Sequence, residues 1–242
     1  MNSLRRARPL LGTLVEIGAR GVRASQASID TAFAAIGEVQ SQLSRFDPRS
    51  DIGRFNASPR GTRIKVGVHA ATVLSAAREL HDASSGLFDV SLGSGPCAWQ
   101  LDATTLIKCH DGVRLDLGGI AKGHAVDLAI EVLRSNGCEA GWVNAGGDLR
   151  VFGDAPMPLD LRDEINGGVR RFGVLRDGAF ATSHFGEGAR SRAVDSPWPV
   201  HGHVSVVAPR CLWADALTKV VAISGNARHS LLLRWEASAW LH

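Results

Sequence analysis

Two glycine-rich turns enclose one helix in residues 114–152, and this stretch constrains the fold more than any other feature of the sequence. The first turn contains Gly118-Gly119, the second is residues 144–148 (NAGGD), and the spacing of apolar residues between them is helical up to Gly137. Glycine lets a backbone approach a ligand closely, and a helix N-terminus favours phosphate groups. Each glycine pair alone is equally typical of a tight turn between packed elements. Together they predict a site for a phosphate-bearing ligand.

The start of this central helix carries a lysine, Lys122, among small residues. A positive side chain near the positive end of a helix is unfavourable unless an anion lies close by. Lys122 therefore adds modest evidence for an anionic ligand.

The composition is that of an ordinary globular protein, with 45% apolar and 21% charged residues. The formal net charge of +3 suits a small anionic ligand but is too weak to predict nucleic-acid binding. The four cysteines are scattered without a CxxC pair, which argues against a zinc knuckle or a redox dithiol.

The first twenty residues begin with basic side chains, and only a few apolar residues precede Glu16. This run is too short for the core of a signal peptide or for a membrane span. We therefore expect a cytoplasmic protein with no membrane span. The sequence leaves its oligomeric state open.

Strand and helix patterns follow one another along the chain without strict alternation, repeat or linker. Residues 8–18 predict a first strand, and residues 43–56 predict a polar loop with aromatic side chains. Asp111-Gly112 predicts a hairpin turn. The second strand of this hairpin would lead into residues 114–152. This order predicts an α+β fold: one domain over residues 1–242, with a mixed, largely antiparallel sheet, hairpins and packed helices.

Several segments match the motifs of one family. LDLGGIAKGHAVD and VNAGGDLRVFG are close to the signatures Asp-Leu-Gly-Gly-x-Ala-Lys-Gly-Tyr-x-x-Asp and Asn-x-Gly-Gly-Asp, and further matches are LGTLVEI, LSRFDPRSDIGRFN, SGLFDVSLG, AFATS and VSVVAPRCLWADALTKVV. In this order the segments resemble the FAD:protein FMN transferases, also called the ApbE or thiamine-biosynthesis lipoprotein family. The resemblance covers nearly the whole chain.

The resemblance implies an α+β fold that binds FAD, with Mg²⁺ at the pyrophosphate. It implies transfer of FMN from FAD to a Thr or Ser hydroxyl of an acceptor flavoprotein, with release of AMP. Such a transfer needs positive charge and positioned donors around the phosphates. The implied nucleotide-binding residues are Phe46, which would lie against the flavin, and Asp89, Gly118, Gly119, Ala121, Lys122, Asp127, Asn144, Gly146, Gly147, Asp148 and Thr182.

The implied metal ligands are Asp215, the main-chain carbonyl of Ala121 and Thr218, since Mg²⁺ prefers hard oxygen atoms. The family pattern on this helix is Asp-Ala-x-x-Thr, but Lys219 stands where the Thr would be. Thr218 comes one position early, which rotates its hydroxyl by about 100° around the helix. An ammonium at position 219 could replace part of the metal's charge or expel the metal.

The chemistry is expected at Asp215, Lys219 and Arg192, the last standing where the family has a His. An arginine stays protonated and cannot act as a base, although it can pair with a phosphate. The leading hypothesis is a divergent FMN transferase. The alternatives are a non-catalytic carrier of FAD or FMN, and an accessory protein that has lost flavin binding.

Overall fold

The fold is α+β, as the sequence predicts, in a computed structural model that describes residues 2–162, 167–185 and 202–242. The strands are β1 (Asn2–Leu10), β2 (Thr13–Gly21), β3 (Arg63–Lys65), β4 (Trp99–Asp102), β5 (Thr105–Lys108), β6 (Ala140–Ala145), β7 (Asp148–Phe152), β8 (Met157–Arg162), β9 (Val169–Leu175), β10 (Gly178–Phe185), β11 (Gly202–Ala208) and β12 (Ser238–Leu241). The helices are α1 (Gln26–Leu43), α2 (Asp51–Ala57), α3 (Val68–Ala83), α4 (Ala121–Ser135), α5 (Cys211–Ser224), α6 (Leu231–Arg234) and a short 3₁₀ helix at Pro96–Ala98.

A seven-stranded sheet in the order β1-β2-β6-β7-β10-β11-β12 forms the centre, and its neighbouring strands are antiparallel. Helix α4 packs against β6 and β7, α5 against β10 and β11, and the two helices against each other. Successive side chains of a strand point to opposite faces of the sheet, so β6 contributes to two hydrophobic cores. Val143 joins the core under the helices, whereas Trp142 joins a smaller core with residues of β8 and β9. The hairpin β6–β7 is therefore covered on both faces.

Helix α1 forms as its sequence predicts. Ser25 precedes it and accepts a hydrogen bond from the backbone N–H of Ser28 at 3.2 Å, which caps the N-terminus. Its apolar residues recur at spacings of three and four, and Ile29, Phe33 and Ile36 are buried. Within the described ranges of the chain, none of the helices is both long and apolar enough to cross a membrane.

The prediction of one strand over residues 8–18 is wrong, because a turn at Leu11-Gly12 divides it between β1 and β2. Both turn residues have positive φ angles, 55° and 70°, which reverse the chain. The sequence signal missed β1 because Asn2–Leu10 is exposed and basic rather than alternating.

Residues 43–56 are not a continuous loop either, since α2 begins at Asp51. Ser50 caps this helix by accepting from the backbone N–H of Gly53 at 2.8 Å, so Gly53 lies inside a capped turn. The capping serine outweighs the neighbouring Pro48, which comes before the helix begins.

The predicted hairpin at Asp111-Gly112 is also wrong. β5 pairs with β4 through a turn at Ala103-Thr104, and the segment after Gly112 does not join the described sheets. Both backbone groups of Leu115 bond instead to the side chain of Asn56, at 2.8 and 3.0 Å. These side-chain bonds replace a strand ladder, and local sequence does not reveal them.

Candidate functional site

Two lysines and two aspartates from distant parts of the chain meet between the glycine-rich turns. The Lys122 ammonium contacts Asp148 Oδ2 and lies 3.5 Å from Asp215 Oδ2. The Lys219 ammonium contacts Asp215 Oδ1 and lies 3.0 Å from the main-chain oxygen of the same residue. We call these four residues the charge cluster.

The lysine side chains of the cluster are partly exposed, whereas its carboxylates are buried. The side chains of Lys122 and Lys219 are 31% and 13% exposed, whereas those of Asp148 and Asp215 are 2% and 0% exposed. An approaching ligand therefore meets ammonium groups before carboxylates. This arrangement favours an anionic ligand.

The pKa shifts in the cluster follow from burial and charge. Burial alone would raise the pKa of Asp215, but Lys122 and Lys219 hold it below its ordinary value. Burial raises the pKa of Asp148, and the nearby Asp215 carboxylate adds to this effect against the opposing lysines. Burial alone would lower the pKa of Lys122, but the two carboxylates raise it. Lys122 is consequently held in its charged form.

Gly123 lets α4 and α5 approach closely enough to form the cluster. A Cβ atom at this position would lie 2.3 Å from the carbonyl oxygen of Cys211, which leaves space for glycine alone. The Gly123 backbone N–H also donates to Asp215 Oδ2 at 3.3 Å. The first signature motif thus sets the distance between two helices.

Asp127 belongs to the site through α5. Its carboxylate accepts the backbone N–H groups of Cys211 and Leu212 at 2.8 and 3.0 Å, which caps the N-terminus of α5. The guanidinium of Arg150 donates to the same carboxylate at 2.7 Å, and Arg210 lies at 3.5 Å. A nucleotide contact for Asp127 stays a prediction, while these contacts position the helix that carries Asp215 and Lys219.

The second glycine-rich turn joins β6 to β7 and ends at Asp148. Gly146 and Gly147 have φ angles of 65° and 107°, which side chains with a Cβ rarely adopt. Asn144 Oδ1 closes the turn by accepting from the Gly147 N–H at 3.1 Å. Thr182 of β10 lies beside Gly147, its methyl group 3.3 Å from where a Cβ would be. The turn thereby places Asp148 next to Lys122.

The first glycine-rich turn connects the charge cluster to an exposed aromatic ring. The Gly118 N–H donates to Asp116 Oδ1 at 2.9 Å, and Asp116 Oδ2 lies 3.2 Å from Arg45 Nε. The Arg45 guanidinium carbon lies 4.3 Å from the centre of the Phe46 ring, which is 80% exposed. On the other side, Lys219 Cε lies 3.2 Å from where a Cβ of Gly119 would be. The predicted flavin and phosphate positions are therefore structurally linked.

Asp89 is held by its own loop. Its Oδ1 accepts from the N–H and hydroxyl of Ser91 at 2.8 and 2.7 Å, and its Oδ2 accepts from the Gly93 N–H at 3.1 Å. Burial would raise the pKa of Asp89, but these hydrogen bonds and the nearby His81 lower it. Its nucleotide contact stays a prediction.

The side-chain oxygen atoms expected to bind Mg²⁺, those of Asp215 and Thr218, already have partners. Asp215 Oδ1 faces Lys219, and its Oδ2 faces Gly123 and Lys122. The Thr218 hydroxyl donates to the Asp215 carbonyl at 2.7 Å, and Ala121 begins α4. Among the described residues, no group of three or more His, Cys, Asp or Glu side chains could hold a metal ion. The residues as arranged do not fit a divalent cation, and the implied Mg²⁺ stays a prediction from the resemblance.

Arg192 lies outside the described residues, so its expected phosphate contact stays a prediction. Ser183, which the sequence analysis did not single out, lies 3.3 Å from Lys219 Nζ and 3.0 Å from Thr218 Oγ1. It sits in the AFATS motif, but only the pairing of β10 with α5 reveals its role.

The comparisons with known proteins agree with the motifs. The ApbE family model matches residues 11–239. The FAD:protein FMN transferase of Rhodobacter capsulatus is 29% identical over 90% of this chain and 50% of its own length, and that of Chlamydia pneumoniae is 25% identical over 88% and 80%. This chain thus spans half the length of the first relative.

Solved structures share the fold at low sequence identity. The flavin transferase ApbE from Vibrio cholerae superposes with a TM-score of 0.84 at 22% identity, over 99% of this chain and 93% of that one. The ApbE protein of Thermotoga maritima gives 0.81 at 22% identity, over 96% and 90%. With a family model that spans almost the whole sequence, this chain belongs to the ApbE family.

Proposed function

We propose that this protein transfers FMN from FAD to a Thr or Ser hydroxyl of an acceptor flavoprotein and releases AMP. The names of the relatives, FAD:protein FMN transferases, support this activity. The observation that carries it is the charge cluster, whose two lysine side chains are partly exposed between two glycine-rich turns while its carboxylates are buried. A diphosphate is an anionic ligand of the kind that this arrangement favours.

In the proposed reaction the acceptor oxygen attacks the phosphorus on the FMN side of the diphosphate. A bond forms between these two atoms, and the bond from that phosphorus to the bridging oxygen breaks. AMP leaves with the bridging oxygen. The hydroxyl proton passes to the phosphate monoester of AMP or to water. Lys122 and Lys219 would stabilise the negative charge that builds on the phosphate oxygens.

The exposed ring of Phe46 supports a position for the flavin. Flat aromatic ligands stack on aromatic side chains, and the Arg45 guanidinium fixes this ring from one side. Arg45 also reaches the Gly118 turn through Asp116. A flavin near Phe46 would thus direct its phosphates towards the charge cluster. Arg192 is proposed as a further phosphate partner because it remains protonated.

The test is to incubate the protein with FAD and a panel of peptides that contain a target Thr or Ser. We expect flavin fluorescence that stays on the peptide in a denaturing gel, together with AMP release. Each peptide has a control with Ala at the target position, which should acquire no flavin. Tight FAD binding without either product would instead support a flavin carrier, and failure to bind flavin would support an accessory protein.

A further inference from the structure

We infer that the Lys219 ammonium is itself the cation of this site, and that the protein does not need a divalent metal ion at Asp215. The inference rests on the proposed function for the nature of the ligand. Its evidence and its test concern the cation alone.

The Lys219 ammonium has a complete set of oxygen partners. It contacts Asp215 Oδ1 and lies 3.0 Å from the Asp215 carbonyl oxygen and 3.3 Å from Ser183 Oγ. An ammonium group has three N–H donors, and three oxygens from α5 and β10 surround it. Oxygens grouped in this way around one centre are what a bound cation requires.

The same contacts place a hydrogen-bond donor on each Asp215 oxygen that a metal would use. Its Oδ1 and main-chain carbonyl face Lys219, and its Oδ2 lies 3.3 Å from the Gly123 N–H. The Thr218 hydroxyl donates a hydrogen bond to the same carbonyl at 2.7 Å. A metal ion could bind here only if these partners moved.

Charge balance also favours the lysine. The cluster contains two ammonium groups and two carboxylates, so it is neutral as it stands. Without a bound anion, a divalent ion added to it would leave a net charge of +2 in a largely buried cluster, which is unfavourable in a medium of low dielectric constant. With Thr at position 219 the cluster would carry a net negative charge, which suits a divalent ion.

The position of the ammonium is fixed by the helix and by the first glycine-rich turn. Asp215 and Lys219 are four residues apart on α5, so they share one face of the helix. The alkyl chain of Lys219 packs over Gly119, with Cε at 3.2 Å and Cδ at 3.6 Å from where a Cβ would lie. The glycine thus provides the space that this side chain occupies.

The inference is tested by titrating the protein with Mn²⁺, followed by electron paramagnetic resonance, with and without FAD. We expect the native protein to show no stoichiometric site in either condition. Lys219→Thr should create one site, with an affinity for Mn²⁺ about tenfold or more above that of the native protein. Lys219→Arg keeps the charge and should remain without a site. Lys219→Met removes the charge without adding an oxygen ligand, so its comparison with Lys219→Thr separates the two effects.

The native titration decides the question even if a variant fails to fold. One tightly bound Mn²⁺ per native chain would overturn the inference, whatever the variants show. Because the titration without FAD needs neither flavin nor acceptor, it is independent of the proposed transfer. A protein that transfers FMN and binds Mn²⁺ refutes the inference alone, whereas one that does neither refutes the proposed function alone.

Discussion

Asp127 in α4 caps the N-terminus of α5 by accepting the backbone N–H of Cys211 at 2.8 Å. Its carboxylate is buried and also pairs with Arg150. Asp127 thus links the two helices that carry Lys122 and Asp215, in addition to the Gly123 N–H bond to Asp215. These contacts together hold the geometry of the charge cluster.

Asp127→Ala should lower the free energy of unfolding by about 3 kcal/mol or more, because it removes the cap and leaves the Arg150 guanidinium unpaired. Asp127→Asn keeps one acceptor oxygen and should cost less. Asp160→Ala is the matched control, since its ion pair with Arg171 is exposed and should be worth less than about 1 kcal/mol. Urea denaturation measures all three. A loss in Asp127→Ala no larger than in the control would contradict this role.

Gly123→Ala should destabilise the protein and weaken FAD binding, because the added Cβ would lie 2.3 Å from the Cys211 carbonyl oxygen and push α5 away. Gly37→Ala is the control within α1, where a Cβ meets no described atom within 4 Å. That substitution should stabilise the helix by about 0.5–1 kcal/mol. Thermal unfolding and FAD titration check both variants, and equal effects of the two would show that the helices do not need this glycine.

The stability of the protein should fall as the pH falls from about 6.5 to about 4, in part because of His124. Burial, with smaller contributions from His69 and Arg210, lowers the pKa of this histidine from 6.5 to about 4. In that window the unfolded chain binds a proton that the folded chain does not, so stability present above pH 6.5 is lost on acidification. The difference corresponds to about 3 kcal/mol at most.

His124→Tyr, which introduces the residue of the family signature, should make this pH dependence shallower. Urea midpoints at several pH values compare it with the native protein. His110→Gln is the control at an exposed position and should leave the slope unchanged. An unaltered slope in His124→Tyr would assign the acid sensitivity to other groups.

Phe46→Ala should weaken FAD binding by about 1–3 kcal/mol, the range for loss of one stacking partner. Phe46→Trp should retain most of the affinity. Leu233→Ala removes another exposed apolar side chain, 83% exposed, and should leave the affinity unchanged. Fluorescence titration with FAD measures each, and an unchanged Phe46→Ala would place the flavin elsewhere.

The sequence predicts the parts of the fold that depend on local patterns. The apolar spacing of Ile29, Phe33 and Ile36 is that of a helix, as α1 shows, and the helical spacing between Gly119 and Gly137 predicted α4. The hairpin at Asp111-Gly112 failed because the next segment bonds to the Asn56 side chain, 59 residues away for Leu115. The capping of α2 by Ser50 was also missed, because residues 43–56 predicted a polar loop.

In the site, too, some residues follow from sequence motifs and others are revealed only by tertiary packing. Family motifs identified Lys122, Asp148 and Asp215, and the structure brings these three together. The contacts of Asp127 with α5 and of Ser183 with Lys219 join residues 84 and 36 positions apart, respectively. Such pairings arise from tertiary packing, and a single sequence carries no signal for them.

The role proposed for the charge cluster in FMN transfer is tested by the single-turnover rate of Lys122→Met. We predict that this rate falls by about 100-fold or more, since a positioned charge on the reacting phosphate is lost, while Lys122→Arg retains part of it. Lys65→Met, at an exposed position on β3, should transfer FMN at the native rate. A Lys122→Met protein that folds and transfers FMN as fast as the native protein would contradict the proposed role.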